Sequence, residues 1–304
     1  MDWQSHLDRI VEDVRPQLGE GKVATYIGAL ARVPPDRFGI AIRLIDGTEF
    51  VAGDADVRFS IQSISKVFTL TMAMNLMGDD LWKRVGREPS GNAFNSLVQL
   101  EQEAGIPRNP FINAGAHVVT DCLVSHRATP RRDILEFFRK LSGNPKIDYD
   151  REVAASERRT GHRNFALANF IKSFGNLDGD VDDVLDLYFH QCAIAMSCRD
   201  LCRASAFLAN GGIDPVSGDV VVPPARARRI NSLMLTCGLY DAVGSFAFRV
   251  GLPAKSGVGG GILAVWPGRM TICVWSPGLD PWGNSLAGGR ALELLAQRTG
   301  ATVF

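Results

Sequence analysis

Two β-hairpin patterns near opposite ends of the chain constrain its fold more than any other feature. Residues 38–54, FGIAIRLIDGTEFVAGD, alternate apolar and polar side chains around Asp46-Gly47, a dipeptide typical of tight hairpin turns. Residues 264–277, AVWPGRMTICVWSP, carry β-rich runs on both sides of Pro267-Gly268. The pattern of residues 284–300, NSLAGGRALELLAQRTG, then predicts a closing helix.

The region between the hairpins has mostly helical periodicity. The clearest examples are VVTDCLVSH (118–126), RRDILEFFRKL (131–141), NFALANFIKSF (164–174), DVDDVLDLYFHQCAIAMSC (180–198) and RDLCRASAFLANGG (199–212). Strands at both ends with helices between them predict an α+β fold, in which an antiparallel sheet assembled from both chain ends is flanked by helices. We expect residues 1–62 and 240–304 to form the sheet subdomain together, and residues 63–239 to form a largely helical subdomain. The two parts would act as a single functional unit with the active site between them.

The composition excludes several classes of protein. The 304 residues are 46% hydrophobic and 22% charged, and 33 Lys plus Arg balance 33 Asp plus Glu. This is typical of a soluble globular protein, with no electrostatic footprint for nucleic acid or for an anionic membrane. No run is apolar and long enough to span a bilayer, and the amino terminus has no signal-peptide pattern.

Six cysteines in so long a chain do not predict a disulfide framework. Cys198 and Cys202 complete no zinc spacing. We therefore expect reduced, buried thiols, a cytoplasmic location and no metal.

A serine and a lysine lie three positions apart in FSIQSISKVFTL, residues 59–70. From Ser63 to Met77 the pattern is apolar on nearly every face, which predicts a buried helix. Positions i and i+3 share a helix face, so Ser63 reaches Lys66 whereas Ser65 does so less readily. Burial lowers the pKa of a lysine, and a neutral amine beside a hydroxyl activates the serine as a nucleophile. An idle serine beside a surface lysine also matches this short motif, but the apolar surroundings favour the nucleophile.

A second short motif follows late in the chain. Residues 253–261, PAKSGVGGG, place Lys255-Ser256-Gly257 just before a hairpin, and the S-x-x-K and K-[ST]-G signatures occur in that order in the serine β-lactamase fold. The glycines allow close approach of the backbone and leave an amide free to donate a hydrogen bond. A dinucleotide loop is the alternative, because Gly259, Gly261 and Ala264 fit G-x-G-x-x-A. It fails on context, since Pro267 stands where a helix should continue.

Together these stretches resemble the serine-dependent glutaminases over nearly the whole chain. The resembling stretches are QSISK (62–66), PFINAGA (110–116), SERRTGHRN (156–164), CGLYD (237–241), GLPAKSGVGGGI (251–262) and WSPGLDPWGNS (275–285). The resemblance implies a β-lactamase/DD-transpeptidase-like fold. It also implies hydrolysis of L-glutamine to L-glutamate and ammonia without a metal or organic cofactor. A homo-oligomer, tetramer or dimer, is implied by the resemblance alone.

The resemblance also implies roles for individual residues. Ser63 would be the nucleophile and Lys66 its base, while Tyr26 and Tyr240 line the reaction centre, with Tyr240 favoured as a proton relay. The backbone amides of Ser63 and Val258 would form the oxyanion hole. The residues that match glutamine-binding positions are Asn113, Glu157, Asn164 and Tyr188. Glu157 suits the substrate ammonium, and the other three suit the α-carboxylate. The chain departs from the family at His162, where an acidic residue is more usual, and it lacks the ankyrin repeats of animal members.

Two alternatives remain open. A penicillin-recognising enzyme of the same fold would be exported and would carry an S-D-N motif, which this sequence lacks. A catalytically silent amino-acid sensor on the same scaffold would be expected to lose Ser63 or Lys66, and both are present.

Overall fold

The computed structural model describes residues 1–90 and 97–304, and in this part an antiparallel sheet is built from both ends of the chain. Its strands are β1 Gly39–Leu44, β2 Glu49–Gly53, β6 Ala254–Gly257, β7 Gly261–Trp266 and β8 Met270–Trp275. They follow the order β2-β1-β8-β7-β6 across the sheet. β1 pairs with β8, which joins the two predicted hairpins into one sheet. The prediction of an α+β fold with this sheet is confirmed.

Helices cover both faces of the sheet and fill the middle of the chain. They are α1 Trp3–Val14, α2 Ser65–Met77, α3 Leu97–Gln102, α4 Asn113–His126, α5 Pro130–Ser142, α6 Arg151–Thr160, α7 His162–Ser173, α8 Val181–Cys192, α9 Cys198–Ala209, α10 Pro224–Cys237, α11 Val243–Arg249 and α12 Leu286–Thr299. Short 3₁₀ turns lie at Arg15–Gln17, Leu30–Arg32, Gln62–Ile64, Gly78–Lys83 and Tyr240–Ala242. None of the described helices is of a length and hydrophobicity that could cross a membrane.

The alternation of side chains along the strands divides the core in two. In β8, Ile272 and Val274 face one core together with residues of α1 and α12, whereas Cys273 and Trp275 face the other. Successive side chains of a strand point to opposite faces, so apolar residues at every position predict a sheet buried on both sides. α9 packs on the second face against β1 and β8, although the chain division above assigned residues 63–239 to the helical part. That division stays a prediction.

A second, smaller sheet in the middle of the chain corrects one expectation. Its order is β3-β5-β4, from β3 Phe59–Ser60, β5 Ile194–Met196 and β4 Asp148–Tyr149. The periodicity predicted a helix over 180–198, but α8 ends at Cys192 and an extended strand follows it. The physical reason is tertiary pairing, because β5 pairs as an antiparallel strand with Phe59–Ser60 on one edge and with Asp148–Tyr149 on the other. This small sheet fixes the chain immediately before Ser63.

Candidate active site

A cavity of about 430 Å³ opens where the start of α2 meets the end of β6. Its lining includes every candidate catalytic or substrate-binding residue except Lys66: Tyr26, Ser63, Asn113, Glu157, Asn164, Tyr188, Tyr240 and Val258. Lys66 lies behind this lining and is 1% exposed. Tyr26 differs from the others, since it stands at the mouth with 60% of its surface exposed. The structure therefore brings together residues from seven separate stretches of sequence.

Ser63 lies in the 3₁₀ turn Gln62–Ile64, which leads directly into α2. Gln62 before it has a left-handed backbone, with φ 49°. Non-glycine residues rarely adopt this conformation, and it concentrates at functional sites where the surroundings enforce it. Ser65 donates its hydroxyl to the carbonyl of Gln62 at 2.7 Å, so Ser65 stabilises the turn. The hydroxyl available at the cavity is that of Ser63.

Lys66 is buried in α2, where residues 65–74 are all buried. Its Nζ donates to the carbonyl of Phe111 at 3.1 Å and to Oδ1 of Asn113 at 2.8 Å. Burial lowers the pKa of Lys66 to about 8, although the charge of Glu157 opposes this shift. The amine is therefore about half neutral near pH 8 and still mostly protonated at pH 7.

Asn113 connects Lys66 to the residues expected to bind an amino acid. Besides the bond from Lys66, its Oδ1 accepts one from the Tyr188 hydroxyl at 3.2 Å. Its Nδ2 donates to Oδ1 of Asn164 at 3.0 Å. Asn113 begins α4, Asn164 lies near the start of α7 and Tyr188 lies in α8, so three helices meet at this network.

Glu157 supplies a carboxylate to the cavity from α6 and is 8% exposed. Burial raises the pKa of Glu157 to about 7, whereas a hydrogen bond from Gln62 and the charge of Lys66 lower it. A buried carboxylate of this kind is stabilised by a cation that enters the cavity. Glu157 is thus the natural partner for an ammonium group.

Tyr240 is the second non-glycine residue of the cavity with a left-handed backbone, at φ 50°. Burial raises the pKa of its phenol to about 12, while side-chain hydrogen bonds with Ser63 and Ser256 lower it. Lys255 lies under the ring, with Nζ 4.7 Å from the ring centroid, and donates to the carbonyl of Gly238 at 3.0 Å. These contacts fix the phenol against the Ser63 hydroxyl.

The glycines after Lys255 let β6 approach the Ser63 turn. A Cβ on Gly257 would lie 2.5 Å from the carbonyl oxygen of Ile61, and one on Gly259 would lie 2.2 Å from that of Ser60. Within residues 1–90 and 97–304, neither the Ser63 N–H nor the Val258 N–H donates to a backbone carbonyl. Two amide donors therefore remain available at the cavity beside the Ser63 hydroxyl.

Sequence reasoning missed several residues of the lining. They are Ile27, Gln62, Thr160, Gly161, Arg163, Leu279, Pro281, Trp282 and Gly283. Gln62, Arg163 and Trp282 all stand inside the resembling stretches, so adjacency to a matched residue was the available signal. The described residues hold no group of three or more His, Cys, Asp or Glu side chains placed to bind a metal ion. The absence of a cofactor stays a prediction.

Comparisons with known proteins agree on one family. The family model described as Glutaminase matches residues 21–304. A thermolabile glutaminase of Rhizobium etli is 60% identical over 306 aligned residues, covering 100% of this chain and 99% of the relative. A glutaminase of Aliivibrio fischeri is 58% identical and covers 98% of both chains.

A solved structure gives the same result. The probable glutaminase of Bacillus subtilis in complex with 6-diazo-5-oxo-L-norleucine superposes with a TM-score of 0.91 at 35% identity. The match covers 100% of this chain and 98% of that one.

Proposed function

The chain belongs to the glutaminase family and hydrolyses L-glutamine, and we propose that it does so through an acyl-enzyme formed on Ser63 with Lys66 as the base. The observation that carries this proposal is the buried amine of Lys66, three residues from Ser63 and with its pKa lowered to about 8. A neutral amine has two N–H donors and one lone pair. Because the carbonyl of Phe111 and Oδ1 of Asn113 accept from the two N–H groups, the lone pair remains for a proton.

Acylation begins when Lys66 takes the proton of the Ser63 hydroxyl and Oγ attacks the side-chain amide carbon of glutamine. The backbone N–H groups of Ser63 and Val258 hold the oxyanion that forms. As the C–N bond breaks, Lys66 returns the proton to the departing nitrogen, with the Tyr240 phenol as relay, and ammonia leaves. Water then attacks the ester carbon while Lys66 takes a proton from that water, and as the C–O bond breaks Lys66 passes this proton to Oγ of Ser63. The product is L-glutamate.

Substrate binding depends on further residues of the cavity lining. Glu157 pairs with the α-ammonium group, while Asn164, Tyr188 and Asn113 serve the α-carboxylate. The Bacillus relative was solved with a compound that is itself an α-amino acid carrying a side-chain carbonyl, which supports this type of ligand. Tyr26, at the exposed mouth, contributes to the rim rather than to the chemistry.

The first experiment is a measurement of ammonia release. L-glutamine, L-asparagine and a chromogenic β-lactam are compared with the parent protein, with Ser63→Ala and with Ser205→Ala. Ser205 is a buried serine of α9 that bonds to the carbonyl of Leu201 and lies outside the cavity lining, so it is the matched control. We expect release from glutamine that is lost only in Ser63→Ala. Activity that survives this substitution would mean that another residue is the nucleophile, and glutamine binding without turnover in the parent would favour an amino-acid sensor.

Two finer properties belong to the same proposal. We propose a cytoplasmic location, which is supported by six free, buried cysteines, since reducing compartments preserve such thiols. We also propose a homo-oligomer, tetramer or dimer. This statement rests on the resemblance to the family alone. Cell fractionation and light scattering coupled to size exclusion test these two statements.

A further inference from the structure

Trp282 lines the catalytic cavity, and the mechanism above leaves it without a task. It is 54% exposed and Tyr26 in the same lining is 60% exposed, so both residues stand at the mouth of the cavity. Tryptophan is highly buried on average, because its apolar surface is large. An indole left half in solvent at the opening of a cavity points to a task at that opening.

Trp282 belongs to the loop of residues 280–284, here called the rim loop, which is closed by its own hydrogen bonds. Oδ1 of Asp280 accepts from the backbone N–H groups of Trp282 and Asn284, both at 2.9 Å. The Asp280 N–H donates to the carbonyl of Asn284 at 2.8 Å, and the Gly283 N–H donates to the carbonyl of Asp280 at 3.1 Å. These four bonds hold the backbone of Trp282 in one place.

The rim loop is also joined to the segment that leads to Tyr26. Lys22 and Leu279 form an antiparallel bridge, in which each backbone N–H donates to the carbonyl of the other residue at 3.1 Å. The approach is close, since a Cβ on Gly21 would lie 2.5 Å from the carbonyl oxygen of Leu279. Widening the mouth by separating these two segments would break both bonds.

The rim loop lies beside the reaction centre. A Cβ on Gly283 would be 3.8 Å from Cε2 of Tyr240 and 3.8 Å from Cγ1 of Val258. The proposed mechanism gives the departing nitrogen to Tyr240 and the oxyanion to the Val258 amide, whereas Glu157 takes the substrate ammonium. The loop that carries Trp282 therefore borders the residues that serve the side-chain amide of the substrate.

We infer that Trp282 is a specificity-determining residue, which excludes glutamine derivatives that carry a bulky group on the side-chain amide nitrogen. The cavity of about 430 Å³ lies in the lower part of the range for ligand sites, roughly 300–1,000 Å³, so bound glutamine leaves little room for a further group. Such a group has to extend toward the mouth, where it meets the indole. This inference rests on the proposed function, because that proposal places the departing nitrogen at Tyr240.

The test compares the parent with Trp282→Ala and Trp282→Phe on two substrates, L-glutamine and γ-L-glutamyl benzylamide. In both, the same C–N bond breaks and L-glutamate is released, while the benzyl compound loses benzylamine in place of ammonia. One assay of glutamate therefore reports on both substrates. Trp82→Ala is the control, because Trp82 is a half-buried tryptophan outside the cavity lining.

The quantity that decides is the kcat/KM for the benzylamide divided by that for glutamine, measured on folded protein with the Tm recorded. We expect Trp282→Ala to raise this ratio about tenfold or more, since even one methylene in a pocket changes discrimination by about 10–200-fold. Trp282→Phe keeps a ring and is expected to raise the ratio less, while Trp82→Ala leaves it unchanged. A ratio in Trp282→Ala within about twofold of the parent would overturn the inference, as would an equal rise in Trp82→Ala.

A binding measurement separates this inference from the serine–lysine mechanism. The Kd values of glutamine and of the benzylamide are measured in Ser63→Ala and in Ser63→Ala combined with Trp282→Ala, where no turnover is needed. We expect the second substitution to strengthen binding of the benzylamide relative to glutamine. That result would support the role of Trp282 even if Ser63→Ala still hydrolysed glutamine, whereas an unchanged ratio of Kd values would overturn it even if the serine–lysine mechanism held.

Discussion

Nζ of Lys66 lies 2.8 Å from Oδ1 of Asn113, so the proposed base of the reaction and the proposed substrate-binding network share one hydrogen bond. A charged ammonium has three N–H donors, whereas the neutral amine has two and keeps a lone pair. Phe111 and Asn113 together accept two, so the neutral amine keeps its lone pair while both bonds are made. The charged form makes the same two bonds and has one N–H left for another acceptor.

The first prediction concerns the dependence of catalysis on pH. Because burial lowers the pKa of Lys66 to about 8 and only the neutral amine accepts the serine proton, kcat/KM should rise as the pH rises through about 8. Measuring ammonia release from glutamine over a series of pH values tests this rise in kcat/KM. Lys66→Arg should be as inactive as Lys66→Met at every pH, since a guanidinium stays protonated. Activity in Lys66→Arg above that of Lys66→Met would contradict the assignment of the base.

The second prediction concerns the carboxylate of Glu157. Burial raises its pKa to about 7, and only the ionised form pairs with the substrate ammonium, so glutamine should bind more tightly as the pH rises through about 7. Glu157→Gln keeps the shape and removes the charge. We expect KM to rise at least tenfold, which is about 1.4 kcal/mol, and to lose its dependence on pH between about 6 and 8. A KM in Glu157→Gln that still falls over this range would assign the titration to another group.

The sequence predicted those features that depend on local pattern. The turn at Asp46-Gly47, the turn at Pro267-Gly268 and the buried helix after Ser63 follow from side-chain alternation and turn chemistry, and all are present in the structure. Ile194–Met196 could not be read in this way, because its strand exists only through pairing with two distant segments.

The candidate site also combines features that follow from local sequence with features that depend on tertiary packing. Ser63 and Lys66 are three positions apart, so their placement on one helix face is a prediction that needs only the sequence. The backbone carbonyl of Phe111 accepts a hydrogen bond from Lys66, and no pattern of side chains in the sequence predicts this contact. The left-handed backbone of Gln62 is equally unpredictable from the sequence. Such features depend on tertiary packing, and only the structure reveals them.

The third prediction tests the phenol of Tyr240. Its pKa, raised to about 12 by burial, means that the phenol keeps its proton across the working range and can donate it to the departing nitrogen. Tyr240→Phe should lower kcat about 100-fold with a smaller change in KM, because general acid–base groups contribute about 10²–10⁴ to the rate. Steady-state kinetics on the folded variant measure this split. A loss confined to KM would make Tyr240 a binding residue rather than a proton relay.

The fourth prediction concerns stability in acid. Burial raises the pKa of Glu49, but hydrogen bonds from Arg203, Arg199 and Arg43 outweigh it and lower the pKa to about 2. Since the folded-state pKa lies below the unfolded value, this stabilisation is present above about pH 4.5 and is lost as the pH falls toward 2. Glu49→Gln should therefore lower the free energy of unfolding by about 2 kcal/mol at pH 7 and by much less near pH 2.5. Urea unfolding at both pH values checks the difference, and an equal loss at both would point to packing instead.

The fifth prediction tests the close approach of β6 to the Ser63 turn. An alanine Cβ at Gly257 would lie 2.5 Å from the carbonyl oxygen of Ile61 and 3.2 Å from the Ser63 nitrogen, and both are backbone atoms that can yield only if the strand moves. Gly257→Ala should lower the free energy of unfolding by about 1–3 kcal/mol, as overpacking does. It should also lower kcat per folded molecule, because the Val258 amide would shift away from the oxyanion.

Gly289 provides the matched control for this substitution. It lies in α12, and a Cβ there meets nothing within 4 Å. Gly289→Ala should leave kcat unchanged and raise the free energy of unfolding by about 0.5 kcal/mol, since alanine loses less backbone entropy in a helix. Urea unfolding and glutamine kinetics are measured on both variants. If Gly257→Ala unfolded at the same urea concentration as the parent with full kcat, the approach of β6 would not be what aligns the two amides, and the oxyanion hole would have to lie elsewhere.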